Sequence, residues 1–495
     1  MKLRYAVPVA LVVLLPAWVS ALGEDRTEYY AVLTDGKKIG HSVSSRKVVN
    51  GKIVTTEDVT MTIGRVGQQL TVRESTTSIE TTEGQPIGYE YKMAQGLMAQ
   101  ELKGAIGADG KLTIHINGPA GKQTTTTTWP EGALLSEGLR LLARNKGLKP
   151  GTAYSARAFL PSLGMAVAVH AEVAGRKKVD LLGRVVDLAE IKTNMQLPLA
   201  AVSSLNYVDD DHRPLKTVTE VMGITIEIVA CDKTYALSDD ELVDFLKKLL
   251  LQSPSALTGI KQASSARYFL KAKSGKTLAG MVVTDSQTLS KGADGQLVVT
   301  IKPTQLPSCA PAFDKSKHPE PAEYLKPSKY LQSDHAEITA LTAKAVGGQK
   351  DPSKAAKLIE TFVGKYITAK NLSVGYASAV EVARSRQGDC SEHAVLAAAM
   401  CRAAGIPARV VAGYVYVPRI GDRKHVFGGH AWLEVYIAGK WVGLDPLRGG
   451  VGCGHIAQAT GNGDPSDFFS ALNTMGNFTI EKVELELQVA ESKRS

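Results

Sequence analysis

The stretch from Gln387 to Gly413, QGDCSEHAVLAAAMCRAAGIPARVVAG, constrains the fold more than any other part of the chain. Its run of Ala, Leu, Val and Met without internal Gly or Pro predicts a buried helix, which Gly405 and Pro407 end. The following ARVVAGYVYV is β-branched and aromatic and predicts a strand. A Gly-Asp pair before the helix indicates a tight turn. The segment therefore predicts a turn, a helix and a strand, with Cys390 at the start of the helix.

The position of Cys390 favours a reactive thiol. Unpaired amide N–H groups and the helix dipole at the first turn stabilise an anion, which predicts a lowered thiol pKa and a better nucleophile. A small buried core cysteine is the alternative, and it is the commoner role of this residue type. A thiolate nucleophile requires a base and a group that orients the base, so a downstream His and an acidic partner would decide the question.

The segment GGHAWLEVYIAGKWVGLDP supplies both groups in one predicted β-hairpin. Its residues alternate in the manner of strands around a two-residue turn at 438–439, so that Ile437 pairs with Lys440. This register makes His430 and Asp445 diagonal neighbours on one sheet face, with Cα atoms about 7–8 Å apart. A slip of one residue would move them to opposite faces, which makes the register a sharp prediction.

These two segments resemble the transglutaminase-like superfamily, in its bacterial cysteine-protease-like branch. The resemblance continues upstream through YLQSDHAEITALTAKAVGG, DPSKAAKLIETFVGKYI and SAVEVARSRQGDC, and covers roughly residues 330–469. It implies an α+β fold with a papain-like core, in which a helix carrying Cys390 packs on an antiparallel sheet carrying His430 and Asp445. It also implies that these three residues form a catalytic triad acting on a protein or peptide substrate.

Three activities are compatible with this pattern. Water resolves the acyl-enzyme in a peptidase or amidase, whereas a lysine amine resolves it in a protein-crosslinking transglutaminase. We favour hydrolysis because of the resemblance to the bacterial branch and the lack of a calcium-loop pattern. A non-catalytic envelope binding or scaffold protein is the third hypothesis, since more than half of the chain is predicted β-sheet without a catalytic motif. The intact Cys, His and Asp argue against it.

Several further residues are candidates for shaping the site. The nucleophile's own N–H is the natural first oxyanion donor, and Tyr376 or Gln387 could supply the second. The charged segment 417–429 could shape substrate access or be a plain surface connection. Trp432 and Trp441 could wall the cleft, although hairpin aromatics more often pack.

Residues 1–21 have the features of a secretory signal peptide. Lys2 and Arg4 precede the apolar VPVALVVLLPAW, and residues 19–21 fit a small-residue cleavage site. The apolar run is too short to favour a spanning helix, although an uncleaved anchor is the alternative. We therefore expect an exported protein, secreted or periplasmic, with no transmembrane anchor after signal cleavage.

Charge and cysteine content narrow the function classes. A net charge of +9 is mild for 495 residues, and the Lys and Arg residues are dispersed, which argues against nucleic-acid binding. The five cysteines are an odd number and leave at least one free thiol unless it pairs between chains. A Cys231–Cys309 disulfide is possible but is not fixed by the sequence.

Two pairs of residues could suggest zinc: Cys390 with His393, and Cys453 with His455. Neither has the repeated ligand spacing that marks a zinc site. We expect no metal and no cofactor.

The chain order predicts an amino-terminal β-rich region and a carboxy-terminal catalytic domain. Alternating segments broken by DGK and NGK turns predict antiparallel strands up to about residue 235, with one helix at LLSEGLRLLARNKG. The predicted parts are a signal peptide (1–21), a β-rich domain (22–237), a helix LVDFLKKLLLQ plus strands continuing it (238–305), a proline-rich linker (306–328), the catalytic domain (329–485) and a charged tail (486–495).

Overall fold

The computed structural model shows two compact units, Met1–Gly64 with Gln68–Asp244, and Arg65–Gly67 with Phe245–Ser495. No helix in the described part of the chain has the length and apolar content needed to cross a membrane. The described residues are 25–65, 68–95, 98–118, 121–197, 201–221, 224–244, 250–274, 276–278, 281–370, 377–464 and 475–487, so the predicted signal peptide lies outside them.

One large sheet dominates the first unit, as its alternating sequence predicts. The threonine run forms a strand, and LLSEGLRLLARNKG forms a helix. In chain order the elements are β1 (Arg26–Thr34), β2 (Lys37–Val49), β3 (Lys52–Arg65), β4 (Gln68–Glu80), β5 (Pro86–Gln95), β6 (Met98–Ile106), β7 (Lys111–Gly118), β8 (Gly121–Thr128), β9 (Ala133–Leu134), α1 (Ser136–Lys146), β10 (Ala153–Leu160), β11 (Met165–Leu181), β12 (Arg184–Gln196), β13 (Ala201–Val208), β14 (Pro214–Val221), β15 (Ile224–Cys231), α2 (Lys233–Ala236) and β16 (Val243–Asp244).

The strand order of this sheet is β8-β7-β6-β5-β4-β3-β2-β1-β15-β14-β13-β12-β11-β10-β9, with β16 beside β3. Most neighbours are consecutive in the chain and antiparallel, which is the predicted meander. The short strands β9 and β16 pair in parallel with β10 and β3. The first strand β1 pairs with β15, so the two halves of the meander meet at β1.

Helix α1 is held to this sheet through its amino terminus. Its N-cap residue, Leu135, has no side-chain oxygen to accept a hydrogen bond. The Glu80 carboxylate of β4 accepts the N–H groups of Glu137 and Gly138 instead, at 2.7 and 2.9 Å. An acidic group at this end also interacts favourably with the helix dipole. Leu139 of the helix then packs into an apolar cluster on the sheet.

The helix predicted from the segment LVDFLKKLLLQ is wrong where the structure describes it. Val243–Asp244 pairs with Ile63 and Gly64 of β3 as a strand, and Leu251–Gln252 forms a second short strand. Residues 245–249 lie outside the described part. A short apolar run fits a buried helix and a strand equally, and here the available sheet edges decide.

The second unit combines two sheets with a group of helices. The proline-rich stretch 306–328, predicted as an extended linker, contains a helix and a 3-10 turn in its second half, with Pro319 pre-organised at the first helical turn. In chain order the elements are β17 (Leu251–Gln252), β18 (Ala263–Ala272), β19 (Gln287–Lys291), β20 (Leu297–Ile301), α3 (Pro319–Ala322), α4 (Ala336–Val346), α5 (Pro352–Tyr366), α6 (Ala379–Ser385), α7 (Cys390–Ala403), β21 (Ala408–Ile420), β22 (Arg423–Ile437), β23 (Lys440–Leu444), β24 (His455–Gly461) and β25 (Phe478–Leu487).

Helix α7 lies at the centre of this unit and packs against strands β21 and β22 and helices α4, α5 and α6. Its run from Ala394 to Cys401 is buried on all sides, which explains a composition without a polar face. The sheet beside it has the order β17-β22-β21-β24, with β23 paired to β22. The other sheet has the order β19-β20-β18-β25, so the strand predicted near the end of the chain closes it.

Candidate active site

Helix α7 begins at Cys390, and a reciprocal cap fixes its first turn. The Asp389 carboxylate accepts the Ser391 N–H at 3.0 Å, and the Glu392 carboxyl accepts the Asp389 N–H at 2.9 Å. Gly388 precedes the cap with a φ of 147°, and a Cβ there would lie 2.3 Å from the Glu392 Cβ. The predicted turn and helix start are both present.

The Cys390 thiol is half-buried and lies beside the residue that follows the predicted base. The Ala431 backbone N–H is hydrogen-bonded to the thiol and favours its ionised form. Burial nevertheless raises the pKa of Cys390 well above its ordinary value, and the nearby carboxyl groups of Asp389, Glu392 and Asp445 raise it further. The prediction of a lowered pKa is therefore wrong, because burial of the thiol outweighs the helix start, which also carries two carboxyl groups.

The predicted register of the β22–β23 hairpin is confirmed. Ile437 pairs with Lys440, and residues 438 and 439 have φ values of 51° and 82°, as a two-residue hairpin turn requires. His430 of β22 and Asp445, directly after β23, consequently lie on one face. Their side chains are hydrogen-bonded, with 2.7 Å between His430 Nε2 and Asp445 Oδ2. Both side chains are buried.

Asp445 has a hydrogen-bond donor for each of its available lone pairs. Oδ2 accepts from His430 and, at 3.1 Å, from His455 Nε2. Oδ1 accepts the backbone N–H groups of Leu447 and Arg448 at 3.0 and 3.1 Å. Burial alone would raise the pKa of this carboxyl, but the two histidine contacts outweigh it and hold the pKa well below its usual range. Asp445 is therefore a fixed negative charge.

Helix α5 supports Asp445 from its backbone side. The Asp445 N–H donates to Glu360 Oε1 at 2.9 Å. One helical turn further on, a Cβ at Gly364 would lie 2.4 Å from the Pro446 carbonyl oxygen. A glycine inside this helix lowers its intrinsic stability but lets the Asp-Pro turn approach closely. Asp445 is thus held by helix α5 as well as by the strand that precedes it.

His455 is a buried residue of this network, and the sequence suggested it only as a zinc partner of Cys453. Burial lowers the pKa of His455, so its ring is neutral. Its Nδ1 lies 3.2 Å from the Gly452 N–H and 3.3 Å from the Gly452 oxygen. Since Nε2 faces the Asp445 carboxylate, the proton is assigned to Nε2 and Nδ1 accepts from Gly452. Cys453 has another partner, the Ala263 carbonyl oxygen at 3.2 Å from its Sγ.

Gly413 of β21 lies between the strands that carry the two histidines. It pairs with His430 on one side and with Ala457 of β24 on the other, where the ladder is irregular. A Cβ at this position would lie 2.0 Å from the Ile456 carbonyl oxygen. A glycine inside a strand indicates such a close approach of another backbone. This strand contact positions His455 against Asp445.

The two tryptophans of the hairpin have different surroundings. Trp432 is buried, with its ring 6.1 Å from that of His430 and 5.2 Å from that of His455. It packs against both imidazoles. Trp441 is half-buried and contacts the Tyr436 ring at 5.3 Å and the Arg409 guanidinium at 4.2 Å. Trp441 therefore belongs to a separate aromatic cluster.

The segment 417–429 is not the connecting loop that its charge and glycines suggested. Strand β21 continues to Ile420 and β22 begins at Arg423, so that only two residues form the turn. Val417 pairs with Val426 within this extension. Alternating apolar residues on both sides of a Gly-Asp turn explain the hairpin.

The second oxyanion donor stays a prediction. Tyr376 lies outside the described residues. Gln387 is half-buried, and its backbone N–H lies 3.4 Å from the Ser385 hydroxyl oxygen. His393, the other residue weighed for zinc, is buried with Nδ1 at 2.6 Å from the Asp389 carbonyl oxygen.

One set of side chains within the described ranges converges closely enough to hold a metal ion. The ligand atoms of His430, Asp445 and His455 all lie within 4.8 Å of one another. Both imidazole Nε2 atoms are at hydrogen-bonding distance from the same carboxylate oxygen. A metal ion could enter only after both nitrogens lost their protons, so we interpret the set as a hydrogen-bonded network.

Residues 339–446 match the family model of the transglutaminase-like superfamily, and this part of the chain belongs to that superfamily. The match contains Cys390, His430 and Asp445. No curated protein matches the chain.

Three solved structures show distant likenesses. A "putative cysteine protease" from Cytophaga hutchinsonii shares 20% identity over 48% of this chain and 89% of its own, with a TM-score of 0.29. A beta-barrel-like protein of a domain of unknown function from Brucella abortus shares 11% over 42% and 96%, with a TM-score of 0.33. A "putative protease" from Parabacteroides distasonis shares 12% over 78% and 65%, with a TM-score of 0.19.

Proposed function

We propose that the protein is an exported, papain-like cysteine peptidase or amidase that cleaves a protein or peptide substrate through a Cys390-His430-Asp445 triad. One observation carries the proposal. The Cys390 thiol is hydrogen-bonded to the Ala431 N–H, and the adjacent residue, His430, is hydrogen-bonded to the buried Asp445. These two contacts support the assignment of a nucleophile, a base and a group that orients the base, which thiol acyl transfer requires.

The proposed reaction has two half-reactions. The Cys390 sulfur attacks the amide carbonyl, and His430 takes the thiol proton through Nδ1, the ring nitrogen opposite its contact with Asp445. The carbon–nitrogen bond then breaks, and the amine leaves with the proton from His430. Water, deprotonated by the same imidazole, attacks the thioester and releases the carboxylic acid and the free thiol.

The electrostatics of the resting site favour a neutral thiol over a preformed thiolate. Burial and neighbouring carboxyl groups raise the pKa of Cys390. Asp445 carries the negative charge that stabilises the imidazolium once the proton has moved to His430. We therefore propose that the thiol ionises on substrate binding, with His430 acting as a general base.

The test is covalent labelling of the full chain with a peptide chloromethyl ketone, with mass spectrometry to locate the modified residue. We expect labelling at Cys390, its loss in Cys390→Ala, and a reduction of at least about 100-fold in His430→Ala. The matched control is Cys309→Ala, because Cys309 is an exposed cysteine of the same unit. Equal labelling of Cys390 in the wild type and in His430→Ala would contradict the triad.

Hydrolysis and transamidation are distinguished after acylation. The acyl-enzyme formed from an activated peptide ester is incubated with and without a primary amine such as cadaverine. A peptidase or amidase releases the carboxylic acid at a rate that the amine leaves unchanged. Dominant formation of the amide product would assign the chain to protein crosslinking.

A further inference from the structure

A cavity of about 540 Å³ lies next to the candidate site in the second unit. The cavity is lined by segment 256–262, by the turn end of the β21–β22 hairpin and by the glycine-rich segment 448–455. Of the four residues of the hydrogen-bonded site, His455 lines this cavity, whereas Cys390, His430 and Asp445 do not. The cavity is therefore adjacent to the support of Asp445 and separate from the thiol.

The charged residues that line the cavity are cations. Arg448 and Lys261 line it together with His425 and His455, and no Asp or Glu belongs to its described lining. Arg448 is exposed, and its Nη2 donates to the Tyr416 carbonyl oxygen at 3.3 Å. Within the described ranges, neither Arg448 nor Lys261 has a carboxylate partner. A concave site with an unneutralised guanidinium suits an anion, because Arg binds carboxylate and phosphate oxygens in a bidentate manner.

The backbone of the cavity wall also holds Asp445. The N–H of Arg448 donates to Asp445 Oδ1, and the N–H of Gly449 donates to the Asp445 carbonyl oxygen at 2.8 Å. His455 contacts Asp445 with Nε2 and is part of the cavity lining. A ligand bound by the Arg448 side chain would restrain both the backbone of residues 448–449 and the nearby His455, which together hold Asp445 in place.

We propose that this cavity is an oxyanion-binding site, which takes a carboxylate or phosphate group on the Arg448 guanidinium with Lys261 at its edge. Its occupancy stabilises segment 448–455 and so strengthens the placement of Asp445 and the reactivity of Cys390. The binding itself is independent of the proposed peptidase activity, whereas its effect on the thiol rests on that activity.

The binding is tested by isothermal titration calorimetry of the full chain with inorganic phosphate and with acetate, at constant ionic strength. We expect one saturable site, with an affinity about 10–100-fold weaker in Arg448→Gln, as expected for loss of a charge-assisted contact. Lys261→Gln should weaken it less. The matched control is Lys291→Gln, an exposed cation of the same unit outside the cavity, which should bind as the wild type does.

Arg448→Lys covers the case in which Arg448→Gln fails to fold, because it keeps the charge and loses the bidentate geometry. It should bind phosphate measurably more weakly than the wild type. No saturable binding to the wild type, or equal affinities in the wild type and the folded Arg448 variants, would overturn the proposal. These readouts do not depend on catalysis, so they fail or succeed independently of the peptidase hypothesis.

Two matched peptide chloromethyl ketones identify the source of the anion. One carries a carboxylate, and the other a carboxamide, at the end remote from the chloromethyl ketone. If the substrate carries it, the carboxylate probe labels Cys390 faster, and both phosphate and Arg448→Gln abolish the difference. If a free effector carries it, the two probes label equally, and phosphate increases both rates in the wild type but not in Arg448→Gln. Either pattern supports the site and assigns its ligand. Labelling that neither phosphate nor Arg448→Gln changes would overturn the proposed effect on the thiol.

Discussion

His455 Nε2 and Asp445 Oδ2 are 3.1 Å apart, and His430 contacts the same carboxylate oxygen at 2.7 Å. One buried carboxylate thus accepts hydrogen bonds from two imidazoles. In the proposed reaction His455 touches neither the thiol nor the amide, so it is a positioning residue. The His455 ring stays neutral, so it donates its N–H to Asp445 both when His430 is neutral and when His430 is protonated.

Replacing His455 should slow the reaction of Cys390 without removing any reacting atom. We expect His455→Leu to reduce the rate of Cys390 labelling by a peptide chloromethyl ketone about 10–100-fold, because Asp445 loses a donor and is less well placed. The pKa of Asp445 should rise towards its ordinary range, so the acid limb of the pH–rate profile should move to higher pH. The profile is measured by mass spectrometry between pH 3 and 9.

His455→Gln is the conservative variant, because its side-chain amide retains an N–H donor near the Nε2 position. It should restore most of the rate and the position of the acid limb. A purely structural role would lower the amount of folded protein but leave the profile of the folded fraction unchanged. An unshifted acid limb in His455→Leu would therefore contradict the positioning role.

The Cys390 thiol should behave as a weakly acidic group in the resting protein. Because burial and the charge of Asp389 raise its pKa, its reaction with iodoacetamide should be slow at pH 7 and should still be increasing at pH 9. The exposed Cys309 provides an internal reference in the same digest. A plateau in Cys390 labelling below pH 7 would show a preformed thiolate and contradict this prediction.

Asp389→Asn should accelerate this labelling at pH 7–8 by about threefold to tenfold, which corresponds to a decrease of 0.5–1 in the thiol pKa. The Asn oxygen can still accept the Ser391 N–H and cap helix α7, so the helix start should persist. Circular dichroism checks the fold of the variant. A slower reaction in the folded variant would show that the Asp389 charge does not oppose thiol ionisation.

The local features of the site could be predicted from the sequence. The hairpin register followed from alternation and a two-residue turn, and it placed His430 beside Asp445. The turn before helix α7 and the start of the helix followed from Gly388, Asp389 and the apolar run after them. These features depend on residues that are close in the chain, so short-range patterns contain the information.

The features that could not be predicted depend on distant parts of the chain. Strand β24 pairs with β21, and this contact brings His455 to Asp445. Its sequence HIAQATG indicates a strand but not its partner. Glu360 lies 85 residues before Asp445, and its carboxyl oxygen accepts a hydrogen bond from the Asp445 backbone N–H. The thiol pKa follows from burial, which a helix-start motif does not specify, and for that reason its predicted direction was wrong.

The first unit should lose stability as the pH rises through neutrality. Burial raises the pKa of Glu57 to about 8, and that of Glu74 to about 7. From about pH 4.5 to 8 the folded state therefore keeps protons that the unfolded state has released, so the free energy of unfolding falls with increasing pH. Glu57→Gln should reduce this pH-dependent loss in the free energy of unfolding by about 1–3 kcal/mol. The value is lowered because the Glu57 side chain is partly exposed.

Alkylation of Cys231, a half-buried thiol of strand β15, reports the unfolding of this unit in urea. Urea midpoints are compared at pH 5 and pH 8. The matched control is Glu131→Gln, since Glu131 is an exposed carboxylate of the same unit. If Glu57→Gln and Glu131→Gln show the same loss of stability between the two pH values, Glu57 is not the titrating group.

Gly413→Ala should destabilise the second unit and impair the site together. A Cβ would lie 2.0 Å from the Ile456 carbonyl oxygen, so strands β21 and β24 would have to separate. We expect a loss of about 1–3 kcal/mol in the free energy of unfolding, the usual cost of overpacking. His455 begins β24, so its contact with Asp445 should weaken and Cys390 labelling should slow in the protein that remains folded.

Gly452→Ala is the steric control, because no atom lies within 4 Å of a Cβ at that position and the substitution keeps the backbone N–H that donates to His455 Nδ1. Urea unfolding followed by alkylation of the buried Cys401 of helix α7 measures the stability of this unit, and native labelling of Cys390 measures the site. Gly413→Ala should also move the acid limb of the Cys390 profile in the direction expected for His455→Leu. Lower stability with an unchanged profile would show that the β21–β24 contact supports the fold without positioning His455.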